Sequence, residues 1–215
     1  MILNVDVTEY RHPVTSHEIG LARDPLSAKV LRQNYAHAWF SSPTARRWQP
    51  DLSGTPGFQR YVDKYAEVVV DDPWADIILY HTQSAMLAGA PTPLAFPPRY
   101  PLLNSAAMAM AAEALAGWYC QTTHPWWFLG RPQRVSPDMI FYDTNSARYA
   151  LVEVKSSGKS SFNVKTKVTS DMIKLLRTLA LTKQISAGRY LAGVILVQVT
   201  GPATAGLTSL LLEEV

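Results

Sequence analysis

Two neighbouring stretches of alternating apolar and polar residues predict a pair of β-strands in the second half of the chain. In the later stretch, apolar side chains fall on one face of the strand, and Glu153 and Lys155 fall together on the other. The same alternation across 137–143 places Asp138 on a polar position at the start of the earlier strand. The intervening Asp-Thr-Asn-Ser is rich in turn formers, which predicts a hairpin. Pairing across that turn brings Asp138 beside Glu153 and Lys155.

Apolar periodicity predicts further elements on both sides of this hairpin. They are a helix at 104–121, a short strand at 126–129, a helix at 171–187 and a strand at 190–199. Ser170 or Asp171 is expected to begin the later helix, and Gly188 lies just past its end. The tail at 207–215 fits either a strand or a helix. The predicted order is helix, three strands, helix and strand.

The first hundred residues have a different pattern. Helices are predicted at 26–39, 58–70 and 72–89. Residues 90–101 hold five prolines and are expected to run extended over the surface. We interpret 1–100 as a helical and irregular N-terminal extension, with a Pro-rich linker at 90–101. It is expected to form a layer on a core made by 102–215.

Composition narrows the class of protein. A chain of 215 residues, 47% hydrophobic and 17% charged, suits one globular domain with a sizeable core. The single cysteine, Cys120, excludes an internal disulfide and suits a reducing compartment. The N-terminus lacks a secretory pattern, and no run of about 18 apolar residues occurs. We therefore expect a cytoplasmic protein with no membrane partner.

The distribution of charge is more informative than the net charge of +3. From 155 to 189 the chain carries eight Lys or Arg residues against one acid, Asp171. Positive charge around a reactive centre favours a nucleic-acid partner, because neutralising phosphates supplies most non-specific affinity. An ordinary solvated surface is the alternative. The candidate nucleic-acid-binding residues in this run include Lys159, Lys165, Lys167 and Lys174.

Pro137-Asp138 followed by Glu153-x-Lys155 resembles the signature of the PD-(D/E)XK nuclease superfamily. The resemblance covers roughly 104–200. The family core runs α-β-β-β-α-β, with Asp on the second strand and Glu-x-Lys on the third, and the predicted order matches it. The resemblance implies an α/β, restriction-endonuclease-like αβββαβ core, in which helices flank a mixed central sheet.

The resemblance also implies a Mg²⁺ site, with Mn²⁺ as an alternative. Asp138, Glu153 and the backbone carbonyl of Val154 are the implied ligands, and Mg²⁺ prefers such hard oxygen donors. Lys155 is expected to position the attacking water or to steady developing negative charge. The alternative is an ordinary Glu–Lys pair at a surface, worth under about 1 kcal/mol.

Three further residues are weaker candidates for the same site. Glu113 is the only charged residue between Arg99 and Arg131, in a helix with almost nothing polar on any side. A buried lone carboxylate is costly unless paired or metal-bound, and the family's first helix often supplies a glutamate; a small solvent-facing gap is the alternative. Relatives often carry Lys or Gln where Lys183 and Gln184 lie, although a lysine here also complements the helix dipole.

The sequence therefore predicts a metal-dependent endonuclease acting on DNA. An RNA endonuclease of the same fold, and a non-catalytic nucleic-acid-binding subunit of a larger complex, are the alternatives. A homodimer is compatible with cutting both strands. Trp126 and Trp127 are expected to pack in the core more readily than to stack on bases, and His124 to be a packed loop residue.

Overall fold

Alternating and helical segments of the chain build a layered α/β structure, taken here from a computed structural model. The described residues are 2–38, 43–50, 77, 105–124, 126–132, 136–157, 164–185 and 188–215. The strands are β1 (Asn4–Val14), β2 (Thr44–Trp48), β3 (Trp127–Gly130), β4 (Met139–Asp143), β5 (Arg148–Ser157), β6 (Arg189–Gly201) and β7 (Thr204–Glu214). The helices are α1 (Ser16–Leu21), α2 (Pro25–Ala38), α3 (Ser105–Thr123) and α4 (Val164–Ile185).

The seven strands form one mixed sheet in the order β2-β1-β7-β6-β5-β4-β3. β4 and β5 pair antiparallel as a hairpin, from Met139 opposite Val152 to Asp143 opposite Arg148. β5 and β6 run parallel and are connected through α4, as a parallel pair requires. The hairpin and the α/β sheet flanked by helices, both predicted from the sequence, are confirmed.

Helices cover the two faces of the sheet. The face that packs against α3, called the α3 face, includes Phe141 and Val152. The opposite face, called the α4 face, packs Leu151 and Val194 against α4, with α1 and α2 beyond it. No helix within the described ranges is long and apolar enough to cross a membrane.

Several predicted boundaries shift. β3 begins and ends one residue later than predicted, and the tail forms β7. α4 begins at Val164, so Ser170 and Asp171 lie inside the helix and the prediction that one of them begins it is wrong. Val168 and Thr169 are almost completely buried. Their packing outweighs the weak helix propensity of the β-branched residues in this segment.

The expectation that residues 1–100 form a helical and irregular layer outside the core is wrong for the first segment of the chain. β1 pairs in parallel with β7, from Asn4 opposite Thr204 to Val14 opposite Glu214, and β2 pairs with β1. The first segment of the chain therefore belongs to the same sheet as the last. The helix predicted at 26–39 is confirmed as α2. The helices predicted at 58–70 and 72–89, the linker at 90–101 and the boundary at 102 lie outside the described residues, apart from Ile77.

A buried polar cluster, the Glu9 cluster, joins β1 to the end of α3. Glu9 accepts hydrogen bonds from the Tyr119 hydroxyl at 2.7 Å and from Arg11 Nε at 2.9 Å. His124 Nε2 lies 3.0 Å from Glu9 Oε2, a distance for ion pairing but outside hydrogen-bond geometry. Arg46 donates to Tyr119 at 2.7 Å. Burial alone would raise the pKa of Glu9. The opposite effect of His124, Tyr119 and Arg11 together is larger, so the pKa falls from 4.5 to about 2.

Candidate active site

The end of the β4–β5 pairing positions Asp138. Pairing stops at Met139 opposite Val152, and Asp138 lies immediately before Met139. Its Oδ2 accepts a hydrogen bond from the backbone N–H of Val154 at 2.7 Å. The aspartate is therefore held against β5 at the residue between Glu153 and Lys155. The prediction that the hairpin brings Asp138 to this place is confirmed.

Glu153 and Lys155 project together from the α4 face of β5. The Glu153 side chain is 3% exposed, and its Oε1 accepts a hydrogen bond from Lys155 Nζ at 2.5 Å. Its Oε2 is buried and has no hydrogen-bond partner among the described residues. Lys155 is 23% exposed and reaches the surface. Glu153 and Lys155 therefore do not form an ordinary ion pair at the surface, because the Glu153 carboxylate is buried. Burying a carboxylate this deeply carries a large desolvation cost.

The electrostatics of Asp138 differ from those of an ordinary aspartate. Burial raises its pKa, the Val154 hydrogen bond opposes that rise, and the charges of Glu153 and Glu113 add to it, giving a pKa of about 6. Burial alone would lower the pKa of Lys155. The hydrogen bond to Glu153 and the charges of the nearby carboxylates have a larger, opposite effect, so the pKa is raised overall. Anionic charge is therefore concentrated at this end of β5, as expected of a cation-binding or catalytic centre.

These oxygens fit a divalent cation in part. In a β-strand the N–H and C=O of one residue project to the same side. The N–H of Val154 points to Asp138, so its carbonyl projects to that side as well, beyond the last β4 pairing. This carbonyl, Asp138 and the unpartnered Oε2 of Glu153 are suitable donors for Mg²⁺. Within the described ranges, no three or more His, Cys, Asp or Glu side chains are grouped to hold a metal ion.

Glu113 lies on α3 and pairs with Arg131. Its side chain is 18% exposed. A carboxylate with so little contact with water is stabilised either by a charged partner or by a metal ion, and here the partner is Arg131. Its charge nevertheless contributes to the raised pKa of Asp138. Its role as a metal ligand stays a prediction.

Asp171 is a carboxylate near the site that the sequence interpretation missed. It lies on α4 and is 3% exposed, and its Oδ1 accepts from Lys174 Nζ at 2.7 Å. Its Oδ2 has no hydrogen-bond partner in the described structure. Its charge contributes to the raised pKa of Lys155. The sequence feature that could have indicated Asp171 is its position as the one acid in a long run of basic residues.

Of the predicted nucleic-acid-binding residues, Lys174 and Lys183 have side chains that the structure describes, and each pairs with a different carboxylate. Lys183 pairs with Glu214 at the end of β7, so its predicted reach to the active centre is wrong. α4 runs opposite to the parallel strands it connects, which places its last turn at the far end of the sheet. Lys174 pairs with Asp171. Lys165 and Lys167 begin α4; their side chains, that of Gln184 and the whole of Lys159 lie outside the described structure.

Replacing Asp138 by asparagine should stabilise the metal-free protein at pH 7.5 by about 2 kcal/mol. A carboxyl whose folded pKa is raised to about 6 destabilises the fold above that pH, and the wild type regains this stability as pH falls from about 6 toward 3.8. The gain should therefore disappear near pH 4. Urea denaturation in EDTA measures it. Asp6→Asn, on an 80% exposed side chain, is the control that should change little; a less stable Asp138→Asn protein at pH 7.5 contradicts the prediction.

Comparisons with protein-family models, with curated proteins and with solved structures find no match for this chain. The residues and their geometry are thus the basis on which a function is assigned.

Proposed function

We propose that this protein is a metal-dependent endonuclease that hydrolyses phosphodiester bonds of DNA, built on a restriction-endonuclease-like core. The observation that carries the proposal is the local arrangement of three residues. Asp138 is hydrogen-bonded to the backbone between Glu153 and Lys155, and the buried Glu153 carboxylate is paired with the partly exposed Lys155 ammonium. The element order α3-β3-β4-β5-α4-β6 supports it, since it is the order that the resemblance to PD-(D/E)XK nucleases implies.

Asp138, Glu153 and the backbone carbonyl of Val154 are the groups that would hold a Mg²⁺ ion. When bound, such an ion polarises a phosphoryl oxygen and lowers the pKa of a bound water. Hard oxygen donors are already concentrated here, and one carboxylate oxygen of Glu153 is buried without a hydrogen-bond partner in the described structure. Binding a cation would compensate both the unpaired oxygen and the charge repulsion that raises the pKa of Asp138.

Lys155 provides the positive group of the site. Its ammonium is fixed by Glu153 Oε1, so its position is set before a substrate arrives. A preorganised donor of this kind stabilises negative charge that develops on a phosphoryl group, and does so more strongly in a partly dry site than in water. Lys155 remains partly exposed, which leaves it accessible to a phosphate.

The proposal is tested by incubating the purified protein with plasmid DNA and with a folded RNA, each in Mg²⁺, Mn²⁺ or EDTA. We expect cleavage of plasmid DNA in either metal and none in EDTA. Cleavage of RNA alone would favour the RNA endonuclease that shares the motif. Absence of cleavage of both substrates in both metals, from protein whose circular dichroism shows it folded, would refute the nuclease and favour a binding subunit.

A further inference from the structure

Four aromatic side chains form a row across four adjacent strands on the α4 face. Register places Trp127 of β3 opposite Tyr142 of β4, Tyr142 opposite Tyr149 of β5, and Tyr149 opposite Tyr190 of β6. The ring centroids of Tyr142 and Tyr149 are 5.2 Å apart, and those of Tyr149 and Tyr190 are 5.9 Å apart. We call these four residues the aromatic row.

Exposure is lowest at the inner end of the aromatic row and highest at the sheet edge, with Tyr142 and Tyr149 between the two. Tyr190 is 3% exposed beneath α4, Tyr149 is 38% exposed, and Trp127 is 66% exposed on the edge strand β3. Trp126, by contrast, is buried and stacks on His124 at 4.7 Å. The expected core role therefore holds for Trp126 and not for Trp127. Burial against α4 stops before the edge, and large aromatic surfaces are left in contact with solvent there.

A pocket on the α4 face lies against two tyrosines of the aromatic row. It has a volume of about 460 Å³, and Tyr149, Tyr190, Ile140 and Leu151 are among its lining residues. Ile140 and Leu151 pair with each other, and each lies two residues along its strand from Asp138 and Glu153 respectively. Tyr142 and Tyr149 are each four residues along their strands from these carboxylates. At about 3.3 Å per residue, the aromatic row is thus about 13 Å from them on the same face.

The chemistry of the pocket suits a flat, largely apolar ligand attached to an anion. Its described lining is mainly aromatic and aliphatic, with Thr182, and the one charged residue in it is Arg131, which also pairs with Glu113. None of the described pocket-lining residues is a carboxylate. A nucleobase has such a flat face, and its phosphate would extend toward Arg131 and Lys155. The volume lies within the range of small-ligand pockets.

We propose that the aromatic row and its pocket bind unpaired bases of single-stranded DNA next to the phosphodiester that is cut. The proposal rests on the nuclease function and narrows its substrate to DNA with unpaired nucleotides at or beside the cut. Successive bases stack on exposed aromatic side chains in proteins that bind single strands. Cross-strand aromatic pairs also stabilise sheets, but that accounts for the inner tyrosines and not for Trp127, whose surface is mostly open to water.

The test compares binding of end-labelled oligodeoxythymidine to the wild type, Trp127→Ala and Trp127→Phe by fluorescence anisotropy in EDTA, where no cleavage is expected. Removing one stacking partner should weaken binding roughly fivefold or more, and Phe should restore most of it. Leu26→Ala, on a residue of α2 that is 77% exposed, is the control for loss of exposed apolar surface and should bind as the wild type does. Thermal denaturation checks that each variant is folded.

An abasic oligonucleotide of equal length separates stacking from phosphate contacts. It should bind the wild type and Trp127→Ala equally, and a fully paired duplex should also be insensitive to the substitution. Unchanged thymidine binding in Trp127→Ala, or an equal loss with the abasic strand, would overturn the proposal while leaving Lys155-dependent cleavage intact. Trp127-dependent binding by a protein that cleaves nothing would instead refute the nuclease function alone.

Discussion

Replacing Lys155 by alanine is expected to reduce phosphodiester cleavage by about 100- to 1000-fold, the usual cost of removing one preorganised donor to developing charge. The ammonium is the cationic group fixed beside Asp138 and Glu153, by the 2.5 Å hydrogen bond to Glu153 Oε1. Its loss removes that charge and also leaves the Glu153 carboxylate without its partner. Cleavage rates at saturating DNA and Mg²⁺ measure the effect.

The chain supplies a matched control for this substitution. Lys183 pairs with Glu214, a glutamate that is also mostly buried, but at the opposite end of the sheet. Lys183→Ala should disturb folding in a comparable way and leave the cleavage rate per folded molecule unchanged. Lys155→Met keeps the length of the side chain where alanine fails to fold. Full activity in Lys155→Ala or Lys155→Met would exclude the proposed role of this residue.

Replacing Glu9 by alanine is expected to lower the free energy of unfolding at pH 7 by about 3 kcal/mol or more. Glu9 accepts hydrogen bonds from Tyr119 and Arg11 and faces His124, so its removal leaves the buried Tyr119 hydroxyl without its acceptor and the buried His124 without the facing carboxylate. Urea denaturation followed by circular dichroism measures the loss. Glu213 also accepts a hydrogen bond from Arg11 at 2.9 Å, but its side chain is 30% exposed. Glu213→Ala should therefore cost under about 1 kcal/mol, and equal losses in the two variants would contradict this account.

The same cluster makes a prediction about acid. A carboxyl whose folded pKa is lowered from 4.5 to about 2 contributes stability that is complete above pH 4.5 and is lost as pH falls toward 2. Stability measured between pH 5 and pH 2 should fall by about 3 kcal/mol more in the wild type than in Glu9→Ala. Parallel pH profiles for the two proteins would show that Glu9 is not the group responsible.

Local alternation was sufficient to predict the hairpin and the position of Asp138 beside Glu153. Both depend on residues close in sequence, where strand period and a turn fix which side chains meet. β1 was missed for two physical reasons. Glu9 occupies an inward position that would ordinarily be apolar, which interrupts the pattern after Val5 and Val7. The partner that pairs with β1, β7, is also about 200 residues away, and no local signal reports such pairing.

The sequence was sufficient to bring together Asp138, Glu153 and Lys155. It was not sufficient for the surroundings of Glu113, Asp171 and Lys183. Helical spacing alone does not locate Lys183 relative to the active centre. A helix between two parallel strands returns along the sheet, so the first turns of α4 lie near the end of β5 and Lys183, in its last turn, does not. Ser170 and Asp171 are residue types that favour the start of a helix, but α4 extends before them because Val168 and Thr169 pack in the interior, which the local sequence does not report. Pairing of Glu113 with Arg131, 18 residues on, depends on a tertiary approach that spacing alone does not encode.

The parallel pairing of β1 with β7 has a consequence for how the chain folds. Each contact in that pairing closes a loop of about 200 residues, from Asn4 with Thr204 to Val14 with Glu214. Contacts so distant in sequence form slowly, because their loop entropy is lost before the pairing compensates it. During synthesis β1 is made about 200 residues before the strand with which it pairs in parallel. Until then the apolar side chains that β1 buries in the fold are exposed, so a nascent chain is expected to need protection from aggregation at this strand.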